Sequence, residues 1–335
     1  MRLIMMGTGP FAVPTFEALL DSPHQVLALY TRPSPPFRGR GPAPVNPMRA
    51  AAERRQVAVF DPPSINDSTV QTQLADWGAD LLVVCDYGQI LKSTTLAAAR
   101  LGGINLHGSL LPRYRGAAPV QWAVFHGDAE TGVSVIHMTP QLDGGPVIAV
   151  RRTPIGAEET AGELEPRLAQ LGVEPVFEAL DKLAAWDGVA SLGAVQDPAA
   201  ATKAPRLTKQ DGELDWRRTA RELHNQVRAF QPWPGSFTHW TSPKGESIRL
   251  IVTRVAVEAG AAPPDSAPPG TVLECQAGRL VVAAGSGTVR IERLQPAGKR
   301  VLEAAEFLRG YPLAVGERLG SASGASEQGM KEAGS

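Results

Sequence analysis

Along residues 1–190, short apolar runs alternate with stretches whose apolar residues recur every three or four positions. The runs RLIMMG (2–7), QVLALYT (25–31), VAVF (57–60), DLLVVCD (80–86) and GINLH (103–107) have the length of buried strands. Between them, FAVPTFEALLDS (11–22), MRAAAERRQ (48–56) and VQTQLADWG (70–78) have the spacing of one helix face. Strands separated by helices predict parallel pairing with right-handed crossovers, hence an α/β fold. Two further runs, GVSVIHM (132–138) and GPVIAVRRTPI (145–155), are joined by a glycine turn and predict an antiparallel extension. A helix over 161–186 closes this half, with Pro166 and Pro175 expected to break or kink it.

The pattern changes after residue 190. Residues 190–206 are rich in Ala, Pro and Gly without helical periodicity and read as a linker between a domain of residues 1–189 and one of residues 207–312. The second domain has one helical segment (219–230) and then five short β-like runs, 235–240, 247–257, 270–275, 279–285 and 288–294. Turn-forming residues separate them, including the proline-rich 262–270, which predicts a small antiparallel β-barrel. Residues 313–335 read as a polar tail, expected to be disordered.

Charge adds a distinction that the net value of −1 hides. Residues 1–200 carry 15 Lys and Arg against 20 Asp and Glu, whereas residues 201–312 carry 16 against 11. Only the second domain is expected to attract a polyanion. No apolar run approaches the ~18 residues of a membrane span. The apolar start is too short for a signal-peptide core, and two cysteines, Cys85 and Cys275, supply no disulfide framework. A cytoplasmic location with reduced thiols is expected.

Three patterns carry candidate chemistry. Gly7-Thr8-Gly9-Pro10-Phe11-Ala12 follows the first strand and fits the dinucleotide fingerprint, yet the second strand ends at Tyr30-Thr31-Arg32 without the carboxylate that would hold a ribose. A tight strand-to-helix turn needs such glycines as well, and no NAD(P) is expected. The run Gly103 to Pro112 takes an apolar strand into a polar loop at its carboxyl end, where open α/β sheets bind ligands. Alternation puts Asn105 and His107 on one side of that strand. An amide beside an imidazole suits acyl-type transfer, the first holding a developing oxyanion and the second handling protons. Asp143, before Gly144 and Gly145, is either a simple turn residue or a carboxylate that orients His107. The six histidines form no metal-binding cluster, and no metal is expected.

The run from Asn105 to Pro119, NLHGSLLPRYRGAAP, closely resembles the signature of folate-dependent formyltransferases, as do Gly127 to Ser134 and the Leu142-Asp143-Gly144 turn. Residues 207–216, 228–237 and 294–300 look like the C-terminal domain of members that formylate initiator tRNA. The resemblance covers residues 1–312 and implies a Rossmann-like catalytic domain followed by an OB-like barrel. It implies that Asn105, His107 and Asp143 are catalytic. It implies 10-formyltetrahydrofolate as donor, with Ser109, Leu110, Leu111 and Pro112 along the folate and Asp86, Tyr87, Gly88, Gln89, Ile90 and Leu91 around its pterin. The implied acceptor is the α-amino group of methionyl initiator tRNA, held by Arg38, Arg40, Lys203, Arg206 and Lys209, with the chain acting as a monomer in translation initiation.

Against the family pattern, the lysines usual after the second strand are missing from Arg38-Gly39-Arg40-Gly41-Pro42. Asp86 stands where a small residue is usual, Lys92 where proline is, and Gly144-Gly145-Pro146 where Thr-Gly-Asp is. The nearest alternatives keep the chemistry and change the acceptor to an amino-sugar nucleotide or to water.

Overall fold

The computed structural model describes residues 1–34, 45–188, 192–258 and 267–320, which divide into two compact units. The first unit is built on a seven-stranded sheet. Its parallel strands are β1 (Arg2–Met6), β2 (Gln25–Tyr30), β3 (Ala58–Phe60), β4 (Leu81–Cys85) and β5 (Gly103–His107). After the two-residue β6 (Arg115–Gly116), strands β7 (Glu130–His137) and β8 (Val147–Pro154) extend the sheet antiparallel, giving the order β3-β2-β1-β4-β5-β7-β8.

Every residue of β4 is buried, as a central strand covered on both faces requires. On one face Ile4, Met6, Ala28, Tyr30, Leu82 and Val84 form a core with Leu74 and Tyr87. Helices α1 (Val13–Leu20), α2 (Pro47–Arg54), α3 (Ser68–Asp76) and the single turn α4 (Ser93–Leu96) make the crossovers. Asn46 caps α2 by accepting from the Arg49 amide. The helix α5 (Pro119–His126) leads into β7.

The helix expected over 161–186 divides into α6 (Ala161–Leu171) and α7 (Val173–Ala184), but neither proline divides it. Pro175 lies in the first turn of α7, where its missing N–H is one of the helix's unpaired donors anyway. Pro166 is carried inside α6 on an exposed position. The break is at Gly172, where a Cβ would lie 2.6 Å from Leu106 Cδ2 of β5, so packing against the sheet sets the division.

Residues 192–206, within the expected linker, are part of the first unit. Ala194 bridges Val147, and β9 (Lys203–Ala204) pairs in parallel with β6. The signal was invisible because the contacts are to backbone atoms of distant segments. The second unit also takes in Val124–Asp128 and Ala157–Gly162 from within the expected domain of residues 1–189. Phe125 stacks on Phe230 with ring centroids 5.2 Å apart.

In the second unit, α8 (Ala220–Ala229) starts with a reciprocal cap between Thr219 and Glu222. The strands β10 (Ser236–Thr241), β11 (Ser247–Glu258), β12 (Val272–Glu274), β13 (Leu280–Ala283) and β14 (Thr288–Pro296) pair antiparallel in the order β10-β11-β14-β13-β12, and β15 (Leu302–Glu303) adds to β14. A short helix, α9 (Ala304–Gly310), follows.

The expected disordered tail starts too early. Leu313 and Leu319 are core residues, and Arg318 and Leu319 bridge Thr271 and Trp240, joining the segment before β12 to β10. Residues 317–320 thus contact both end strands of the sheet and cover part of its edges. Residues 321–335 lie outside the described residues.

Candidate active site

The site is built at the carboxyl end of β5. Pleating turns Asn105 and His107 to the same side, and register sets Asn105 beside Val84 of β4 and Ile136 of β7. The β7–β8 connection then brings Asp143 back over this strand end. The Asn105 amide donates to Asp143 Oδ1 at 3.4 Å, and the Gly116 amide donates to Oδ2 at 2.9 Å. His107 Nδ1 lies 3.8 Å from Oδ2, and the two side chains are only 6% and 9% exposed. His107 Nε2 donates to the Tyr114 carbonyl at 2.8 Å, which fixes the ring. The Nδ1 edge stops short of a hydrogen bond, leaving room for a reacting group to bridge.

Asp143 is held there by a turn with φ of 48°, unusual for a residue with a side chain. Gly145 is required, since a Cβ would lie 1.8 Å from the His137 carbonyl. Gln196 donates to the Asp143 and Gly145 carbonyls, both at 2.7 Å, and Arg115 holds Gln196 Oε1 from Nη2 at 2.7 Å. Neither Gln196 nor Arg115 was singled out from sequence. Arg115 lay inside the signature, but Gln196 sat in the presumed linker with no local signal.

A cavity of about 430 Å³ opens over these residues. Residues Asp86 to Leu91 all line it, as do Asn105, His107, Asp143, Glu165 and Arg206. The Asp86–Leu91 loop is pinned from outside, since Gln89 Oε1 accepts from the Ile65 amide at 2.8 Å and Asn66 bonds both the Ile90 carbonyl and the Lys92 amide. Asp86 is exposed to the cavity, yet desolvation by the surrounding walls and the nearby Glu165 push its carboxyl up to about 6. Burial also raises Glu165, the Tyr87 phenol and the Cys85 thiol.

Residues Ser109 to Pro112 do not line this cavity. The fully buried Ser109 hydroxyl donates to the Arg113 carbonyl at 2.6 Å, and Ser134 Oγ joins the Leu111 amide to the Ser109 carbonyl. These residues brace the loop beyond β5. The glycines after β1 are accounted for by packing: a Cβ on Gly7 would lie 3.0 Å from the Cys85 carbonyl, and one on Gly9 would overlap the Asp86 carboxylate at 1.8 Å.

The formyl transferase family profile matches residues 1–180, and the profile of the formyl transferase C-terminal domain matches residues 206–312. The chain is 50% identical over 327 residues to a methionyl-tRNA formyltransferase of Rhodopirellula baltica, covering 95% of this chain and 96% of that one. It is 42% identical over 322 residues to one from Methylococcus capsulatus, covering 96% and 100%. The chain belongs to the methionyl-tRNA formyltransferase family.

The fold is shared more widely than the sequence. An N-formyltransferase from Helicobacter canadensis, solved with folinic acid and dTDP-3-aminofucose, superposes with a TM-score of 0.59 at 15% identity, over 88% of this chain and 98% of that one. Among the residues expected to meet nucleic acid in a methionyl-tRNA formyltransferase, Arg38 and Arg40 lie outside the described residues. Lys203 is exposed on β9, Arg206 is exposed at the cavity, and Lys209 is exposed at the start of the second unit. Among the described residues, no group of three His, Cys, Asp or Glu is arranged to hold a metal.

Proposed function

We propose that Asn105, His107 and Asp143 transfer the formyl group of 10-formyltetrahydrofolate to the α-amine of methionyl initiator tRNA. The convergence of these three side chains at the end of β5, within one cavity, carries the reading. The cavity falls within the range of small-molecule sites, roughly 300–1,000 Å³. The Asp86–Leu91 loop supplies the wall for the reduced pterin.

Attack of the neutral amine on the formyl carbon forms the new C–N bond and places negative charge on the formyl oxygen. The Asn105 amide and a proton on His107 Nδ1 stabilise that oxygen, each well-placed donor contributing on the order of 3 kcal/mol. Asp143 faces the imidazole, which the Tyr114 carbonyl holds, and is positioned to take the proton that the amine sheds. Collapse breaks the bond to N10 of the folate, and the proton passes to that nitrogen. Arg115 and Gln196 act through Asp143, holding its turn in place.

Lys203, Arg206 and Lys209 supply phosphate contacts that position the tRNA without reading bases. The chain acts as a monomer in the cytoplasm. No helix among the described residues is long and apolar enough to cross a membrane, and both cysteines are free, in keeping with this location. Light scattering would test the monomer.

The deciding assay supplies 10-formyltetrahydrofolate with methionyl initiator tRNA, methionyl elongator tRNA and a 4-amino sugar nucleotide in parallel. Formylation of the initiator alone is expected. Transfer only to the sugar, or folate release without an acceptor, would overturn the acceptor.

A further inference from the structure

The second unit carries its cations in two different ways. On β11, on β14 and just before β13 they are neutralised by neighbouring carboxylates. Arg254 pairs with Glu292 at 2.9 Å, Arg290 with Glu258 at 2.8 Å, Arg279 with Glu274 at 3.0 Å, and Arg293 with Glu303 at 2.6 Å. That face has little charge left to offer a polyanion.

The outer face where β10 meets the first half of β11 is different. Thr238, Trp240, Leu250 and Val252 point into the core, so alternation turns Phe237, His239, Arg249, Ile251 and Thr253 outward. The Arg249 guanidinium lies over the Phe237 ring, 3.8 Å from its centroid, and His239 meets the same ring edge-on at 5.6 Å. Among the described residues Arg249 has no acceptor for its side chain, and its Nε is buried without one. His239 Nδ1 and Thr253 Oγ1 on the same face are also buried without partners. Glu213 pairs with Phe237 across the backbone but forms no ion pair with Arg249. The exposed Lys299 follows in the turn whose Ala297 amide donates to the Arg249 carbonyl at 3.0 Å.

We propose that the Phe237–His239–Arg249 face is a stacking contact for the RNA of the acceptor. This rests on the reading of the acceptor as tRNA and adds to it a surface outside the residues named above. The Phe237 ring covers one side of the Arg249 guanidinium, and Arg249 keeps part of its surface exposed. An unstacked base sits on the exposed side, while the edge donors reach phosphate oxygens. RNA phosphates supply acceptors for the terminal guanidinium nitrogens of Arg249, and a neutral partner would leave its charge unmatched.

The test compares single variants of the full chain for methionyl-tRNA affinity, kcat and folate binding. Arg249→Ala is expected to weaken tRNA binding about tenfold, within the range for lost stacking, with kcat at saturating tRNA and folate affinity unchanged. Arg249→Lys keeps the charge and loses the planar surface, so it should recover less than half of the lost binding free energy. Arg254→Ala, which removes a cation already paired, should stay within about twofold. Phe237→Leu provides a second probe and is read alongside its melting temperature. Equal effects of Arg249→Ala and Arg254→Ala, or full rescue by lysine, would overturn the stacking contact. Wild-type protein that binds tRNA while Arg249→Ala binds it equally well removes this proposal alone. Wild-type protein that neither binds nor formylates tRNA removes the functional reading and the proposal together.

Discussion

Two carboxylates line the same cavity, and their surroundings differ sharply. Asp143, in the β7–β8 turn, and Asp86, at the end of β4, share left-handed backbones with φ of 48° and 47°. Asp143 receives the Gly116 amide and the Asn105 side chain and faces His107. Asp86 accepts no hydrogen bond on its carboxylate among the described residues, although its backbone carbonyl takes the Thr8 amide at 3.0 Å. It packs over Gly9 with Glu165 nearby, and its carboxyl is pushed up to about 6. Similar backbone strain thus serves two ends. At one corner it aims an acid whose partners are already in place. At the other it leaves a carboxylate with no hydrogen-bond donor among the described residues.

The sharpest way to break the comparison is Asp143→Asn. It keeps the shape of the side chain and removes the charge facing His107, so kcat should fall by on the order of 10²–10⁴, the range for a positioned proton-transfer group. Folate affinity, measured separately, should hardly move. Near-normal turnover would reduce Asp143 to a turn residue. Gln196→Ala leaves the carboxylate but releases its turn. A loss of about tenfold in kcat is expected from misplacement, with donor KM little changed, and a loss confined to stability would make Gln196 merely structural.

The Asp86 corner is read through pH. Its carboxyl is raised from the unperturbed 3.8 to about 6, so the folded chain holds an extra proton between those values. That contribution favours folding at low pH and is lost as pH rises through about 6. Because solvent reaches Asp86 from the cavity, the effect is screened. Asp86→Asn should melt higher than wild type at pH 7.5, with the gap closing towards pH 4. A gap of the same size at both pH values would mean that the carboxyl titrates normally. The smallest effect on activity is expected from Ser109→Ala. Its hydroxyl is engaged with the Arg113 carbonyl, so turnover should stay within about twofold while stability falls by about 1 kcal/mol. A large rise in donor KM would return Ser109 to the folate site.

Much of this architecture is legible along the chain. The five parallel strands and the antiparallel pair follow from apolar runs separated by helix-period segments. Asn105 and His107 share a side because strand periodicity is two, a local property. Local breakers place the division of this helix at Pro166 and Pro175, but it falls between α6 and α7 at Gly172, where the nearness of Leu106 decides. Gln196 lies in a stretch rich in Ala, Pro and Gly, and nothing near it in sequence announces a partner at Asp143.

The sequence alone determined what depends on neighbours a few residues apart: the alternation of strands and helices, the basic second domain, and the side of β5 that bears an amide and an imidazole. Tertiary structure decided whatever depends on segments that meet only after folding. It brought Asp143 across 38 residues to Asn105 and left the Asp86 carboxylate, in the same cavity, with no hydrogen-bond donor among the described residues. It also took residues 317–320 out of a presumed tail to contact both end strands of a sheet. The reason is physical: periodicity and turn chemistry act over a few bonds, whereas desolvation, register and close approach act between atoms that only the folded chain brings together.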